Sequence, residues 1–166
     1  MRIISTVIET SVNRKPISTV LLNIRKGCSV LKMTDDPDTA RETSPAVPMV
    51  AMIASPQDYE NVIGECTVRA DECDFLSRAL FMQQMHKTYA GTSTVCIGVA
   101  SRLPGTIVHE ACRPETRDGV EVRFGHPAGV IETEAQVSLD GNNYVVNRAT
   151  LGRTARRILE GRVYLP

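Results

Sequence analysis

No tryptophan occurs in this chain, Phe, Tyr and Trp together make up only 4% of it, and the net charge is zero, with 19 Lys+Arg against 19 Asp+Glu. A charge balance of this kind provides no global field to draw in nucleic acid or an anionic membrane surface, so neither partner is expected. No run approaches the ~20 apolar residues of a membrane-spanning helix, and the amino end lacks the apolar core and small-residue cleavage site of a signal peptide, which makes the cytoplasm the expected location. The cysteines are five (Cys28, Cys66, Cys73, Cys96, Cys112), an odd number without a CxxC pair. That usage fits reduced thiols in the core rather than a disulfide framework or a zinc site. The three histidines, His86, His109 and His126, stand at no metal-ligand spacing, so no metal is expected. The glycine turn near residue 91 is not followed by Gly-Lys-Ser/Thr, and there is neither a G-x-S-x-G elbow nor a G-x-G-x-x-G fingerprint.

What is present is the composition of an ordinary soluble domain, 42% hydrophobic and 23% charged over 166 residues. A chain of that length is one domain or two small ones, and it buries about 70% of the surface its unfolded form exposes. The central stretch is Met85–Leu103, MHKTYAGTSTVCIGVASRL. It begins polar and then becomes apolar on every side, from Val95 to Ala100, which predicts a central helix over Thr92–Leu103 buried all round by surrounding sheet. Thr92, Ser93 and Thr94 fall in its first turn, beside backbone N–H groups that have no partner inside the helix. Two readings stand side by side: a receptor for an anion, or ordinary capping of a core helix.

Around that helix, residues 1–43 read as an irregular and helical N-terminal segment and residues 44–166 as the main domain. The first part holds a β-type run at Ile3–Ile8, an amphipathic helix at Ile17–Met33 and a short helix at Asp38–Thr43. Strands are expected at Met49–Ala54, Glu65–Ala70, Phe75–Phe81, Thr106–Val108 and Val120–Phe124. A longer strand, Val130–Leu139, should form a hairpin with Tyr144–Ala149 through Asp140-Gly141-Asn142-Asn143. A short basic helix, Arg153–Glu160, and a terminal strand, Arg162–Leu165, complete a β-rich α+β domain: a curled, mostly antiparallel sheet around one buried helix.

His126 lies in the glycine-rich break Gly125-His126-Pro127-Ala128-Gly129, where side chains and amides can face a ligand, or where a turn histidine has no role. His86 and Lys87, just before the glycine turn, either lend positive charge to an anion held there or form a solvated rim. His109 reads as structural. Arg153, Arg156 and Arg157 read as the solvated face of the late helix rather than a nucleic-acid patch.

Four segments in order, SPAVPMVAMIASPQDY, RALFMQQMHKTYAGTSTVCIGVASRLPGT, VRFGHPAGVI and RTARRILEGRVYLP, resemble the PrpF family of 2-methylaconitate, aconitate and oxalomesaconate isomerases. The resemblance implies a diaminopimelate-epimerase-like fold of two similar domains, of which residues 44–166 are similar to the second. It also implies a cofactor-independent isomerisation in which a proton and a double bond shift on an unsaturated tricarboxylate. The carboxylates would be bound at Gly91, Thr92, Ser93 and Thr94 and at His126, Pro127, Ala128 and Gly129, with His86 and Lys87 as electrostatic support. Ala90 stands where the epimerases of this fold carry a catalytic cysteine, which argues against cysteine-pair epimerisation. The lysine and cysteine that the resemblance associates with catalysis belong to the first domain, so no catalytic residue is expected here, and Cys96 should be buried and inert. Two functions follow: an isomerase, weak or inactive in this form, or a truncated non-catalytic domain that binds an anion, a separate first-domain chain or a second copy of itself.

Overall fold

The computed structural model describes residues 6–9, 24, 26, 35, 36, 38–46, 49–64, 66–82, 84–153 and 155–165. Its main feature is a seven-stranded, curled half-barrel sheet. The strands are β1 (Thr6–Glu9), β2 (Val50–Ala54), β5 (Phe75–Phe81), β7 (Glu121–His126), β8 (Gly129–Asp140) and β9 (Asn143–Leu151), hydrogen-bonded in that order, with β6 (Gln84–Met85) folded back on β5. A separate two-stranded ribbon joins β3 (Tyr59–Glu60) to β4 (Thr67–Val68). Parallel pairing occurs between β1 and β2 and between β5 and β7, where Phe75 lies opposite Phe124 and Leu76 opposite Gly125. The other pairs are antiparallel.

Strand β5 occupies the predicted Phe75–Phe81, and it is buried almost throughout, as a strand with neighbours on both edges and cover on both faces must be. The predicted hairpin is β8–β9, closed with Asp140 opposite Asn143 and with Gly141 at φ +60° at the first central position of a two-residue loop. Inside the curl, Phe75 and Phe124 stack with centroids 5.4 Å apart, and Tyr89 meets Phe124 edge-on at 4.9 Å.

The central helix, here α2, spans Gly91–Ala100 and follows a single helical turn, α1 (Ala40–Thr43). It packs against β8 and β9 through Thr94, Ile97, Gly98 and Ser101, the i, i+3, i+4, i+7 stripe of one helix face. Gly98 allows that approach, since a β-carbon there would stand 3.1 Å from Thr133 Cγ2. The expectation of burial on every side does not hold. Thr92 is exposed and Val95, Cys96, Val99 and Ala100 are half-buried, because the sheet curls over only one side of the helix.

Several other predicted elements differ. Residues Thr106–Val108 begin a helix, α3 (Ile107–Ala111), rather than a strand: the Thr106 hydroxyl accepts the His109 N–H at 3.1 Å and caps it. The strand expected over Glu65–Ala70 shrinks to Thr67–Val68 and is followed by a 3-10 turn, Ala70–Glu72. The described residues of Arg153–Glu160 and Arg162–Leu165 form neither helix nor strand, and Ile158, Leu159 and Tyr164 are 86–95% exposed. A short helix whose apolar residues find no cover is marginal on its own. In the predicted Ile17–Met33 helix, Ile24 and Lys26 are helical and the rest lies outside the described residues, as does the start of the Ile3–Ile8 run.

Candidate functional site

Helix α2 starts without a side-chain cap. Ala90 is the N-cap, with extended backbone and no side chain able to accept from the first turn, so the N–H groups of Gly91, Thr92 and Ser93 are left unclaimed by any capping side chain. The Thr94 hydroxyl donates to Ala90 O at 3.1 Å, and Thr94 N–H bonds the same carbonyl at 2.9 Å. Ser93 turns away, its hydroxyl directed at Met49 Sδ, so its side chain is withdrawn from the predicted site while its amide stays at the helix start. Thr92 faces solvent.

A cavity of about 300 Å³ opens at this helix start, lined by Tyr89, Gly91, Thr94, Ile131, Leu151 and Arg153 among others. The Arg153 guanidinium lies against Gly91, closer than Leu151 Cδ2, which a β-carbon at residue 91 would meet at 3.0 Å. Arg153 is a residue that sequence reasoning placed on a solvated helix face. No local signal could have found it, because its approach to Gly91 is made by the course of β9, not by its neighbours in the chain. Tyr89 stays protonated, its phenol pushed up to about 12 by burial, and it shares a hydrogen bond with Ser77 Oγ at 2.8 Å. The wall is thus neutral apart from one guanidinium and the partial positive charge of the helix end, and both attract an anion.

The Gly125–Gly129 segment lies toward the same end of the sheet, but His126, Pro127, Ala128 and Gly129 do not line the cavity. Along β8, Gly129, Ile131 and Thr133 share one face; Gly98 packs on Thr133, and Gly91 and Thr94 meet Ile131 at the cavity, so α2 points its N-terminus toward the Gly129 end. The predicted break is a tight continuation of the sheet, because Gly125 and His126 belong to β7, and Pro127-Ala128 alone make the turn before Gly129 at φ +135°. His126 follows Phe124 on the inner face and is only 6% exposed. Burial, then the charge of Arg78 and of His86, push its imidazole down to about 4, so it is neutral at pH 7. Its Nδ1 accepts the Ala128 N–H at 3.3 Å, which leaves the ring proton on Nε2.

His86 is half-buried, with Nδ1 accepting the Thr88 N–H at 3.2 Å, and Lys87 is exposed. Neither lines the cavity. His109 is structural, as expected, with Nδ1 3.0 Å from Ser101 O at the end of α2. Cys96 is half-buried rather than buried, whereas Cys73 and Cys112 are buried thiols, Cys112 pushed up to about 12 by burial. Among the described residues no cluster of His, Cys, Asp and Glu is suited to a metal, and no helix is long and apolar enough to cross a membrane.

A family model described as PrpF protein matches residues 21–166. The chain is 48% identical over 146 residues to a 3-methylitaconate isomerase of Eubacterium barkeri, an alignment that covers 87% of this chain and 37% of that protein. It is 38% identical over 119 residues to a 2-methyl-aconitate isomerase of Shewanella oneidensis, covering 72% of this chain and 29% of that one. A crystal structure of a methylitaconate-delta-isomerase superposes with a TM-score of 0.74 at 47% identity, over 86% of this chain and 36% of the other. The chain therefore spans 29–37% of the length of these relatives.

Proposed function

Because the chain belongs to the PrpF family, we propose that it forms one wall of an isomerase site that shifts a proton and a double bond on an unsaturated polycarboxylate of the aconitate, 2-methylaconitate or methylitaconate type. The observation that carries this reading is the uncapped start of α2 beside the Arg153 guanidinium, at the mouth of one cavity. Loss of a proton from an allylic carbon of such an acid leaves a dienolate whose charge spreads onto the adjacent carboxylate. Amide N–H groups and a guanidinium aimed at that carboxylate gain more from the developing charge than from the ground state, which lowers the barrier. The N–H groups of Gly91 and Thr92 and the Arg153 guanidinium are the groups assigned to that carboxylate, with the His126–Gly129 turn as a second contact. The ring proton of His126 on Nε2 fits it to donate, without adding a charge.

We further infer an epimerase-like second half, with residues 44–166 as its domain and a separate first-domain polypeptide or a second copy as the complement across the cleft. The named cavity residues include no lysine or cysteine to move a proton at carbon, so the chain by itself is weakly active or inactive. A non-catalytic domain that binds a carboxylate or a partner chain is the second reading, favoured by that same lining. Incubation with cis-aconitate in deuterated water, with the first domain of a PrpF-family relative added as a separate polypeptide and that domain alone as the blank, followed by proton NMR, separates the two. Vinyl and methylene exchange above the blank supports the isomerase; binding without exchange supports the second reading; neither binding nor exchange removes both.

A further inference from the structure

The turn between β7 and β8 is gripped from behind at five consecutive carbonyls. Gly125 O accepts Arg78 Nη1 at 3.0 Å, Pro127 O accepts the Val62 N–H at 2.8 Å, and Ala128 O accepts Asn61 Nδ2 at 2.9 Å. The remaining two share one donor, the Tyr59 hydroxyl, 2.8 Å from His126 O and 2.6 Å from Gly129 O. Tyr59 is itself held by two contacts. The Arg78 guanidinium lies 4.6 Å over its ring centroid, and the ring rests on Gly125, where a β-carbon would stand 2.9 Å from Cε1 and 3.0 Å from the hydroxyl. Glycine at 125 is thus required by the approach of Tyr59, with Leu76 Cδ2 closing the same space at 2.5 Å.

A turn whose carbonyls are all engaged on one side has little freedom left, and the residue it carries on the inner face is His126. The Ala128 N–H that sets the tautomer of His126 belongs to the same turn, so the position of the imidazole and the location of its proton depend on one fixed backbone. We propose that Tyr59, with Arg78 stacked on it, is a positioning residue for the polycarboxylate site, holding the 125–129 turn so that His126 stands as a hydrogen-bond donor through Nε2. The inference rests on the carboxylate-binding reading and deepens it. It gives the β3 ribbon a task in the site although none of its residues lines the cavity. A purely structural brace would change stability alone; this one also sets which ring nitrogen carries the proton.

The test uses uniformly ¹⁵N-labelled protein, with the His126 ring read by long-range ¹H–¹⁵N correlation at pH 7 and binding read by titration with tricarballylate, a saturated tricarboxylate that cannot isomerise. Wild-type protein is expected to show a single Nε2–H tautomer and to bind. Tyr59→Phe retains the ring on Gly125 and the stack with Arg78 but removes the shared donor; it is expected to give mixed tautomers and a Kd raised about fivefold to tenfold, on the scale of one lost hydrogen bond. Asn61→Ala, which removes the donor to Ala128 O and with it the oxygen that accepts the Ile63 and Gly64 N–H groups, should shift both readouts in the same direction by less and serves if Tyr59→Phe folds poorly. Exposed Tyr144, changed to Phe, should alter neither. If wild type binds but Tyr59→Phe and Asn61→Ala both keep its tautomer and affinity, the positioning role is overturned while the carboxylate reading stands. If wild type does not bind tricarballylate, the carboxylate reading itself is overturned and the proposal falls with it.

Discussion

Arg153 lays its guanidinium against Gly91, so that a cation from the segment that follows β9 stands at the positively polarised end of α2. Among the described residues no carboxylate pairs with Arg153. Two positive features side by side repel each other unless an anion lies between them, and the arrangement is intelligible as half of a carboxylate site.

Gly91→Ala tests the closeness of that contact. Alanine in a first helical turn is favoured over glycine by up to about 1 kcal/mol, and the group displaced is the end of a flexible side chain, so stability should hold or rise. Binding should move the other way, with the Kd for tricarballylate raised about tenfold, near 1.4 kcal/mol, by calorimetric titration. Unchanged affinity would show that Arg153 does not need its place on Gly91.

Ser93→Ala should do little. The Ser93 hydroxyl is spent on Met49 Sδ, outside the cavity, so affinity for tricarballylate should stay within about twofold of wild type. A large loss of affinity would mean that Ser93 turns toward the ligand.

His126 makes stability depend on pH. Its folded pKa is about 4, below the ordinary 6.5, so the unfolded chain binds the extra proton first as pH falls. The stability its neutral form contributes is complete above pH 6.5 and is lost on acidification from there toward about 4, at no more than about 1.4 kcal/mol per pH unit. Urea denaturation at pH 7 and pH 5 should show the decline, and His126→Gln should flatten it. An equal slope in that variant would assign the dependence to other groups.

Asp74 ties three parts of the chain together. It is 2% exposed, with Oδ1 at 3.2 Å from Arg113 and 3.6 Å from Arg123, and Oδ2 accepting the Arg123 N–H at 2.8 Å. Asp74→Asn keeps the shape but leaves two arginines without their buried counter-charge, and the expected loss is about 3 kcal/mol in urea denaturation. A loss under about 0.5 kcal/mol would place Asp74 among ordinary surface acids.

The elements readable in the sequence were those whose signal is local. Phe75–Phe81 is a buried strand, and Gly141 marks the hairpin loop because only its left-handed φ closes two residues between twisted strands. The start of α2 at Gly91 was likewise legible from the run of small polar residues before Val95. Thr106–Val108 misled because Thr, Ile and Val favour strands in general, while here the Thr106 hydroxyl caps a helix. The late basic helix misled for the opposite reason: its helical pattern is real, but no partner surface covers it among the described residues. The two side chains proposed for the site that were missed, Arg153 and Tyr59, touch Gly91 and Gly125, which are distant from them in sequence. Those glycines read as loop formers, and their role in admitting a side chain becomes visible only in three dimensions.

The most direct measurement is a ¹H–¹⁵N correlation titration of wild type and Arg153→Gln with tricarballylate. Saturable shifts are expected at the Gly91 and Thr92 amides in wild type, and a Kd raised about tenfold in Arg153→Gln with the same amides responding. Tricarballylate that leaves those two amides unmoved at saturation, or that binds Arg153→Gln as tightly as wild type, would contradict the carboxylate-binding reading.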